Sequence, residues 1–300
     1  MRAVVTGGAG FIGSHVVEAL LARGDDVTVV DDLSNGKREN VPDGTALVVA
    51  DIRDALGPIV DEARPEVVFH LAAQVDVRVS VERPDHDASV NVLGTVAVLE
   101  AARAVGAQVV FSSTGGAIYG ECDGPAPESA ERRPLAPYGV SKLAGEEYLA
   151  AYNRLYGTSH ISLRYGNVYG PRQDPHGEAG VVAIFLGALA RDQAPRIFGN
   201  GLQTRDYVYA GDVARASLAV AGHAAGVFNV GTGNETSVVE LYELCRSVSG
   251  SSLEAVEAPA RLGELQRSVL DVSLAKRELG WSAEVPIEEG LRLTWESVER

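Results

Sequence analysis

The feature that most constrains the fold is a glycine-rich turn near the N-terminus. Gly7, Gly10 and Gly13 separate an apolar run at residues 3–6 from a run of helical spacing that reaches residue 21. In a nucleotide-binding turn the first glycine bends the chain, the second admits a pyrophosphate, and the third lets helix and strand pack closely. The N–H groups at the helix start then face the phosphates. The turn predicts a dinucleotide site, against the alternative of an ordinary glycine turn.

Two acidic residues follow the second apolar run. Residues 27–30 end in Asp31 and Asp32, and Asp31 lies eighteen positions beyond Gly13. An acidic side chain at about this distance is typical of the residue that binds the adenosine ribose hydroxyls. A 2′-phosphate there would meet like charge, so we expect NAD rather than NADP. Lys37 and Arg38 follow closely and could accommodate such a phosphate, which leaves this point to experiment.

The first half of the chain alternates strand-like and helix-like segments. Apolar runs at residues 46–50, 67–71 and 108–111 are separated by helical stretches, the longest at about 88–105. Continuous apolar strands between amphipathic helices indicate a parallel sheet that is covered on both faces. The expected fold is therefore α/β, a Rossmann-type doubly wound parallel sheet with a smaller α/β substrate-binding domain.

The composition changes near residue 167, where prolines and glycines become frequent. We expect residues 1–166 to form the NAD-binding domain and residues 167–300 to form the substrate domain. The apolar run at 227–230 is expected to return to the main sheet as an additional strand.

Charge and cysteine content exclude several classes of protein. The formal net charge of −15 disfavours nucleic-acid binding, which needs a basic surface. There is no charged-then-apolar leader and no apolar run of about 18 residues, so no membrane span is expected. The two cysteines, Cys122 and Cys245, have no partners at metal-ligand spacing. We therefore expect no metal and a cytoplasmic location.

A tyrosine and a lysine lie four residues apart at the start of a predicted helix. Tyr138 and Lys142 would share one helix face, although the chain has only three lysines and ten tyrosines. A free phenol has a pKa near 10, too high for a base at neutral pH. A neighbouring ammonium and a cationic nicotinamide ring together would lower the pKa of Tyr138 to about 7. The pair therefore indicates a proton acceptor beside a carbinol, against the alternative of a surface tyrosine near a solvated lysine.

These motifs, with Ser112, Ser113 and Thr114 at the end of the fifth predicted strand, resemble the extended short-chain dehydrogenases. The resemblance is closest to the nucleotide-sugar 4-epimerases. It runs from end to end, because the stretches 163–172, 205–208 and 261–264 are also similar to that family's motifs.

The resemblance implies NAD-dependent 4-epimerisation of a UDP-sugar through a transient 4-keto intermediate. UDP-glucose and UDP-galactose are the expected pair, with the N-acetylhexosamine pair as further candidates. The alternatives are a UDP-glucuronate 4-epimerase, a sugar-nucleotide 4,6-dehydratase and a non-catalytic NAD-sensing protein. A dehydratase is disfavoured because Gly115 and Gly116 stand where that chemistry needs an acid–base pair, and intact Tyr138 and Lys142 disfavour a sensor.

The resemblance also implies roles for individual residues. The catalytic residues would be Tyr138, Lys142, Thr114 and Ser113. The cofactor would contact Gly7, Gly10, Phe11, Ile12, Gly13, Asp31, Asp32, Asn35, Gly36, Asp51, Ile52, Leu71, Ala72, Ala73, Asn91, Ser112, Tyr138, Lys142 and Tyr165. The substrate would contact Gln74, Thr114, Tyr138, Asn167, Val182, Phe198, Arg205, Arg261 and Ser268.

Three positions depart from the family pattern. The segment after Thr114 is one residue longer than in familiar members, so either Ser113 or Thr114 could contact the sugar 4-oxygen. Gln74 stands where a lysine is expected. Ser268 is small where some relatives carry tyrosine, which predicts room for an N-acetyl group at the sugar C2 atom, although Gln74 or His176 could close that space.

A homodimer is expected through the helices at about 88–105 and 138–156. The first of these has valine and leucine around more than one face, which is too apolar for a helix with one side in water. His70 is expected to pack at a strand end without a catalytic role.

Overall fold

The computed structural model describes residues 1–175, 180–260 and 264–298. The strands are β1 (Arg2–Thr6), β2 (Asp26–Asp31), β3 (Ala46–Val49), β4 (Val67–His70), β5 (Gln108–Thr114), β6 (Ile161–Tyr165), β7 (Asn167–Tyr169), β8 (Arg196–Phe198), β9 (Thr204–Arg205), β10 (Tyr207–Tyr209), β11 (Gly226–Val230), β12 (Thr236–Ser237), β13 (Val256–Ala258) and β14 (Arg267–Ser268). The α-helices are α1 (Phe11–Ala22), α2 (Leu56–Ala63), α3 (Val77–Glu82), α4 (Pro84–Ala88), α5 (Gly94–Val105), α6 (Gly115–Ile118), α7 (Pro137–Tyr156), α8 (Val181–Ala190), α9 (Ala210–Ala219), α10 (Val238–Ser249), α11 (Ser273–Leu279) and α12 (Ile287–Val298).

Seven strands form one parallel sheet in the order β11-β6-β5-β4-β1-β2-β3. The order reverses between β1 and β4, so the carboxyl ends of these two strands flank the topological switch point at which such sheets bind ligands. The predicted fold class is confirmed. Strand β11 pairs with β6 at the edge of this sheet, and Phe228 lies opposite Leu163.

Alternating side chains of the sheet enter two hydrophobic clusters. Val5 and Val110 pack with α1 and α9 on one face, whereas Val4 and Val109 pack with α2, α5 and α7 on the other. This alternation is the period-2 geometry of a strand that is buried on both sides. We call the seven strands with α1, α2, α5, α7 and α9 the sheet region.

Much of the described chain after β6 builds a second group of short elements. Three small sheets contain β10-β7, β12-β9-β14 and β13-β8. Helices α8, α10 and α12 enclose a separate cluster that includes Phe185, Leu241 and Leu291. We call these sheets and helices the outer region. The hydrophobic cluster on the α1 face of the main sheet also contains Val208 and Val213, so the core runs past residue 167.

The helix expected at 88–105 is interrupted. A π-helical turn at Ser89–Leu93 separates α4 from α5. Inside this turn Asn91 is buried, and its side-chain amide reaches Ser141 on α7 at 3.1 Å. Single π turns within α-helices are frequent at functional sites, because the extra residue redirects a side chain.

In the part of the chain that the structure describes, one helical stretch could cross a membrane by length and composition. It spans Pro84–Val105, with a mean hydropathy of 1.3. A core helix of a soluble protein passes the same criterion, and α5 packs against α2 and α7 here. The stretch is therefore weak evidence for a membrane span.

Candidate functional site

The glycine-rich turn forms a tight backbone cradle between β1 and α1. Gly7 has a φ of +71°, and a Cβ atom there would lie 2.6 Å from the Ala72 nitrogen. A Cβ on Gly13 would lie 2.0 Å from the Gly7 oxygen, and one on Gly10 would lie 3.2 Å from the same oxygen. Only glycine allows this packing, and it leaves the N-terminal end of α1 open toward the switch point.

Asp31 closes the cradle from the end of β2. Its carboxylate accepts the N–H groups of Ala9 and Leu33, each at 2.9 Å. A Cβ on Gly36 would lie 2.6 Å from one of its oxygens, so the loop after β2 presses against the carboxylate. Burial raises the pKa of Asp31 despite the two backbone hydrogen bonds. Asp32 binds the Ser34 N–H at 2.9 Å instead.

The other predicted cofactor residues lie along the same edge of the sheet. Asp51 follows β3, and its hydrogen bond with Arg53 lowers the pKa of Asp51. Ile52 is buried against Gly94 of α5. The remaining positions are Phe11 and Ile12 at the start of α1, Asn35 in the loop after β2, and Leu71 and Ala73 directly after β4.

Lys142 is buried in the first turns of α7 and points at the end of β5. Its ammonium donates to the Ser112 carbonyl oxygen at 2.9 Å and lies 4.9 Å from the centre of the Phe111 ring. Burial lowers the pKa of Lys142 to about 8, against the opposing carboxylates of Asp87 and Glu146. The side chain is therefore a fixed cation at the carboxyl edge of the sheet below that pH.

Tyr138 lies one turn before Lys142 and keeps some exposed surface. Burial around its hydroxyl, followed by the charge of Asp87, raises the pKa of Tyr138 to about 12. The sequence predicts the opposite direction, toward 7. The difference arises because the protein alone adds a nearby carboxylate and removes water, whereas the predicted decrease depends also on a bound cation.

The three hydroxyl residues at the end of β5 have different surroundings. The Ser113 hydroxyl donates to Glu146 at 2.5 Å and is buried. Within the described ranges, the Thr114 hydroxyl has no hydrogen-bond partner in the protein, and it lies near Gly116 with the Asn167 side chain. The structure therefore leaves Thr114, rather than Ser113, available to a ligand.

Glu146 belongs to a buried ion pair that sequence reasoning did not find. The Arg164 guanidinium on β6 binds both of its carboxylate oxygens, with a shortest distance of 2.6 Å. Arg164 also donates to the Tyr119 hydroxyl, which donates to Asn229 on β11, each bond 2.8 Å long. The pair raises the pKa of Arg164. This network joins α7 to β5, β6 and β11 behind the site.

A second buried network lies between α4 and the start of α7. Asp87 on α4 accepts the amide groups of Gln74 at 2.9 Å and Asn91 at 3.0 Å. The Gln74 oxygen accepts the N–H of Asp76 at 2.6 Å. The predicted substrate residue Gln74 is thus buried among protein partners, and its contact with substrate stays a prediction. Asp87 was not predicted, since no motif marks it.

Tyr165 and Val182 also lie within the protein interior. The Tyr165 hydroxyl is 3.3 Å from Ser217 on α9, and the phenol ring packs in the core. Val182 is buried in α8 among the cluster of the outer region. Burial raises the pKa of Tyr165 to about 12. Tyr165 lies opposite Thr114 in the register of β5 and β6, and the ligand contacts expected for Tyr165 and Val182 stay predictions.

Other predicted substrate residues come together on short strands. Arg205 on β9 lies directly opposite Ser268 on β14, and its guanidinium is 4.0 Å from Glu264. Phe198 ends β8 and is half-buried. Arg261 and His176 lie outside the described residues.

The imidazole of His70 is buried at the end of β4. It bonds to the hydroxyls of Thr6 at 2.8 Å and Thr95 at 3.1 Å, so the packing role expected for it agrees with its position. Among the described residues, no group of three or more histidine, cysteine or acidic side chains could hold a metal ion.

Comparison with known proteins identifies relatives along the whole chain. Residues 3–231 match the model of the NAD dependent epimerase/dehydratase family. The UDP-glucose 4-epimerase of Mycolicibacterium smegmatis is 48% identical over an alignment of 306 positions, gaps included. The alignment covers 99% of this chain and 98% of the relative.

Two solved structures share the architecture. The UDP-glucose 4-epimerase of Thermotoga maritima with UDP-glucose matches with a TM-score of 0.97 at 47% identity, covering 100% of this chain and 99% of that one. The Thermus thermophilus UDP-glucose 4-epimerase complex with NAD matches with a TM-score of 0.95 at 47% identity and the same coverage.

Proposed function

The chain belongs to the NAD-dependent epimerase/dehydratase family, and we propose that it interconverts UDP-glucose and UDP-galactose by inverting the sugar C4 centre. The relatives described above are UDP-glucose 4-epimerases, which supports this reaction over the other members of the family. The observation that carries the proposal is that Lys142, one turn after Tyr138 on α7, binds the end of β5 two residues before Thr114, whose hydroxyl has no partner among the described residues.

The cofactor of this reaction is NAD, and the cradle fits it. Side chains at Gly7 and Gly13 would fill the space between β1 and α1, so the backbone N–H groups of this turn remain open to a pyrophosphate. Asp31 lies at the end of β2, where a ribose would meet a carboxylate and a 2′-phosphate would meet like charge. When bound, NAD supplies a two-electron redox centre beside the sugar carbon.

Tyr138 is the group that accepts and returns the proton of the sugar 4-hydroxyl. Its phenol is protonated in the protein alone, because burial and Asp87 raise the pKa of Tyr138 to about 12. Lys142 holds a positive charge at the end of β5 and favours the phenolate. Positioned acid–base groups of this kind contribute about 10²–10⁴ in rate.

Thr114 is the hydroxyl that binds the sugar 4-oxygen in this proposal. Its hydroxyl is open to a ligand beside Asn167, whereas the Ser113 hydroxyl is bound to the buried Glu146 carboxylate. The Glu146 oxygen that Ser113 binds also accepts the Arg164 guanidinium, so the Ser113 hydroxyl is held inside this buried network. Ser113 therefore supports the strand end, and Thr114 contacts substrate.

The alternatives are less favoured. The segment after Thr114 begins α6 with Gly115, whose absent side chain makes room for Leu270, and Gly116 follows. Neither glycine can transfer the proton that dehydration requires. The relatives also give no support to UDP-glucuronate epimerisation or to a non-catalytic sensor.

Substrate binding by the outer region is a further part of the proposal. Residues 1–166 would hold NAD, and the region after 167 would hold the UDP group through Arg205, Phe198 and Asn167. Ser268 lies beside Arg205 in the three-stranded sheet and is small and buried. We therefore expect N-acetylated UDP-sugars to be accepted at rates comparable to UDP-galactose.

A cytoplasmic homodimer completes the proposal. Large apolar side chains are exposed near α5 and along α7, with Leu93 63%, Val140 53% and Leu155 72% exposed. A partner helix pair would cover such a surface. Cys122 and Cys245 are free thiols, which agrees with a reducing compartment.

The direct test is incubation of the purified protein with UDP-galactose, UDP-N-acetylgalactosamine and UDP-glucuronate in separate reactions, with chromatographic separation of the epimers. Interconversion of UDP-galactose and UDP-glucose is expected, and its absence would reject the proposal.

Denaturing the protein and identifying the released nucleotide tests the cofactor, because NADP as the main species contradicts the assignment. Light scattering that shows only a monomer at micromolar concentration would reject the dimer.

A further inference from the structure

Asp206 is a buried acidic residue to which the proposed reaction gives no role. Only 1% of it is exposed, and it is the single residue between β9 and β10. Strand β9 belongs to the sheet β12-β9-β14, whereas β10 pairs with β7. The chain therefore passes from one small sheet of the outer region to another at Asp206.

The Asp206 carboxylate accepts hydrogen bonds from two other segments. Its Oδ1 atom accepts the Thr232 N–H at 2.8 Å and the Thr232 hydroxyl at 2.7 Å. Its Oδ2 atom accepts the N–H groups of Gly233 at 3.0 Å and Leu270 at 3.4 Å. These bonds replace the water that a buried carboxylate loses. They fix Asp206 against the loop after β11 and the segment after β14.

The packing around Asp206 is close on two sides. A Cβ atom on Gly231 would lie 2.4 Å from Oδ2, and one on Gly166 would lie 2.8 Å from the Asp206 carbonyl oxygen. Gly166 directly follows β6 and Gly231 directly follows β11, and these two strands are neighbours in the main sheet. Asp206 is therefore packed against the carboxyl ends of two strands of the main sheet.

The peptide groups of Asp206 bind two predicted substrate residues. The carbonyl oxygen accepts the Asn167 N–H at 2.7 Å, and the N–H donates to the Ser268 carbonyl oxygen at 3.0 Å. Arg205 directly precedes Asp206 and lies opposite Ser268 in the register of β9 and β14. A displacement of this junction would therefore move the backbone of Asn167, Arg205 and Ser268.

We propose that Asp206 is a positioning residue for the substrate side of the site. It acts through Asn167, Arg205 and Ser268, whose relative placement determines how many contacts one UDP-sugar can make at once. The Asp206 carboxylate is enclosed by protein donors, so it affects the substrate only through these neighbours. The inference rests on the proposed function, which supplies the substrate contacts of the three residues.

The test replaces Asp206 with asparagine, which has nearly the same shape but only one acceptor oxygen. Whichever way the amide turns, its NH2 group faces a backbone N–H donor, that of Thr232 or that of Gly233. Calorimetric titration of the NAD-bound protein with UDP then measures binding of the group that the candidate substrates share. We expect the Kd of UDP to rise about 10–100-fold in Asp206→Asn, because its binding residues are displaced.

Steady-state kinetics with UDP-galactose provide a second readout. The KM should rise with the Kd of UDP, while kcat stays within about threefold of the parent, because contacts with UDP are made alike in the ground state and the transition state. A purely structural role for Asp206 would reduce the amount of folded enzyme. It would therefore lower the apparent kcat without changing KM or the Kd of UDP.

The matched control is Asp212→Asn on α9. Asp212 is also 1% exposed, and its Oδ2 atom accepts the N–H groups of Glu284 and Val285 at 3.0 Å each. Within the described ranges, none of its hydrogen-bond partners is a predicted substrate residue. This variant should lose thermal stability as Asp206→Asn does, but its Kd for UDP should stay within about twofold of the parent.

An unchanged Kd in Asp206→Asn, or an equal rise in Asp212→Asn, overturns the inference. If Asp206→Asn does not fold, judged by thermal unfolding, Thr232→Val decides in its place. That variant removes one hydroxyl donor from the carboxylate and should raise the Kd of UDP about threefold. A folded Thr232→Val protein that binds UDP as the parent does would then overturn the inference.

The same measurements separate this inference from the proposed function. UDP binding that weakens in Asp206→Asn, in a protein without epimerase activity, would reject the proposed reaction and leave this inference standing. Epimerase activity with an unchanged Kd in Asp206→Asn would reject this inference alone. A parent protein that binds no UDP would overturn both.

Discussion

The sheet region and the outer region differ in the length and the pairing of their strands. The main sheet has strands of four to seven residues, all parallel, so their carboxyl ends meet at one edge. The outer region has strands of two or three residues in three separate sheets. Long parallel strands position many side chains relative to one another along one edge. Short strands position only neighbouring pairs, such as Arg205 and Ser268.

We expect this difference to separate the two parts of the proposed reaction. The cradle, Tyr138, Lys142 and Thr114 belong to the sheet region, and Arg205, Phe198 and Ser268 belong to the outer region. Changes in the sheet region should therefore affect every UDP-sugar alike, while changes in the outer region should depend on the sugar. The following experiments, which begin with the largest expected effect, test that division and the packing of the sheet region.

Tyr138→Phe should reduce kcat by about 10²–10⁴-fold for UDP-galactose and UDP-N-acetylgalactosamine equally. The phenylalanine ring keeps the packing but cannot carry the proton, so bound NAD and thermal stability should be retained. Tyr148→Phe on the same helix is the control, because Tyr148 is 42% exposed and should tolerate the change. Turnover within about threefold of the parent would show that another group is the base.

Arg164→Met should lower the free energy of unfolding by about 3–5 kcal/mol, because it leaves the Glu146 carboxylate buried without its cation. Urea denaturation measures the change. The double variant Glu146→Leu/Arg164→Met removes both charges and should recover most of the loss. Equal destabilisation of the single and double variants would mean that the ion pair itself is not what holds α7 to β6.

Gly13→Ala should weaken NAD binding by about 10–100-fold, since a methyl group 2.0 Å from the Gly7 oxygen forces the cradle open. Calorimetric titration of the cofactor-free protein gives the affinity. Gly57→Ala on α2 is the control, because a Cβ there has no atom within 4 Å. A loss of turnover in Gly13→Ala that differed between UDP-galactose and UDP-N-acetylgalactosamine would contradict the division between the regions.

Ser268→Tyr should reduce kcat/KM for UDP-N-acetylgalactosamine relative to UDP-galactose by about 10–200-fold, because the ring fills the space for the N-acetyl group. Ser268→Ala removes only the hydroxyl and should leave the ratio nearly unchanged. If the parent protein already rejects the N-acetyl sugar by a hundredfold or more, the residue does not control this space.

Acid should destabilise the sheet region through its buried histidines. Burial lowers the pKa of His70 to about 3 and that of His160 to about 4, from an ordinary value of 6.5. Between the ordinary pKa of 6.5 and the lower pKa of each folded histidine, the unfolded chain binds more protons than the folded chain. The contribution of these histidines to the free energy of unfolding is therefore fully present above pH 6.5 and is lost as the pH decreases. Each histidine should contribute about 1.4 kcal/mol per pH unit to this fall.

Urea denaturation at several values between pH 7 and 5 measures that dependence. The His160→Gln variant should show a shallower decline than the parent, whereas His223→Gln at an exposed position should not. Equal slopes in all three proteins would show that these imidazoles do not drive the acid response.

The local patterns of the chain predicted much of the sheet region. The glycine spacing, the acidic end of β2 and the alternation of strands and helices all depend on residues close in sequence. The Tyr138–Lys142 pair is likewise set by one helical turn. These features follow from backbone geometry, which the sequence specifies locally.

Individual contacts in the outer region were harder to predict from the sequence. Arg205 and Ser268 are 63 positions apart in the sequence and meet only because β9 and β14 pair. Val182 is buried in α8 among the cluster of the outer region, and its expected contact with substrate stays a prediction. Side-chain direction depends on packing against distant elements, which periodicity alone does not reveal.

The sequence by itself predicted the fold class, the cradle and the tyrosine–lysine pair, because each depends on short-range spacing. It left the choice between NAD and NADP open, and the comparisons with known proteins decided for NAD. Only the tertiary structure decided that Ser113 binds Glu146 while Thr114 has no hydrogen-bond partner in the described part of the chain. It also decided that Gln74 binds Asp87 and that burial raises the pKa of Tyr138. The physical reason is that burial and charge proximity are properties of the folded interior. They arise where β5, α4 and α7 come together, and no single stretch of the chain contains them.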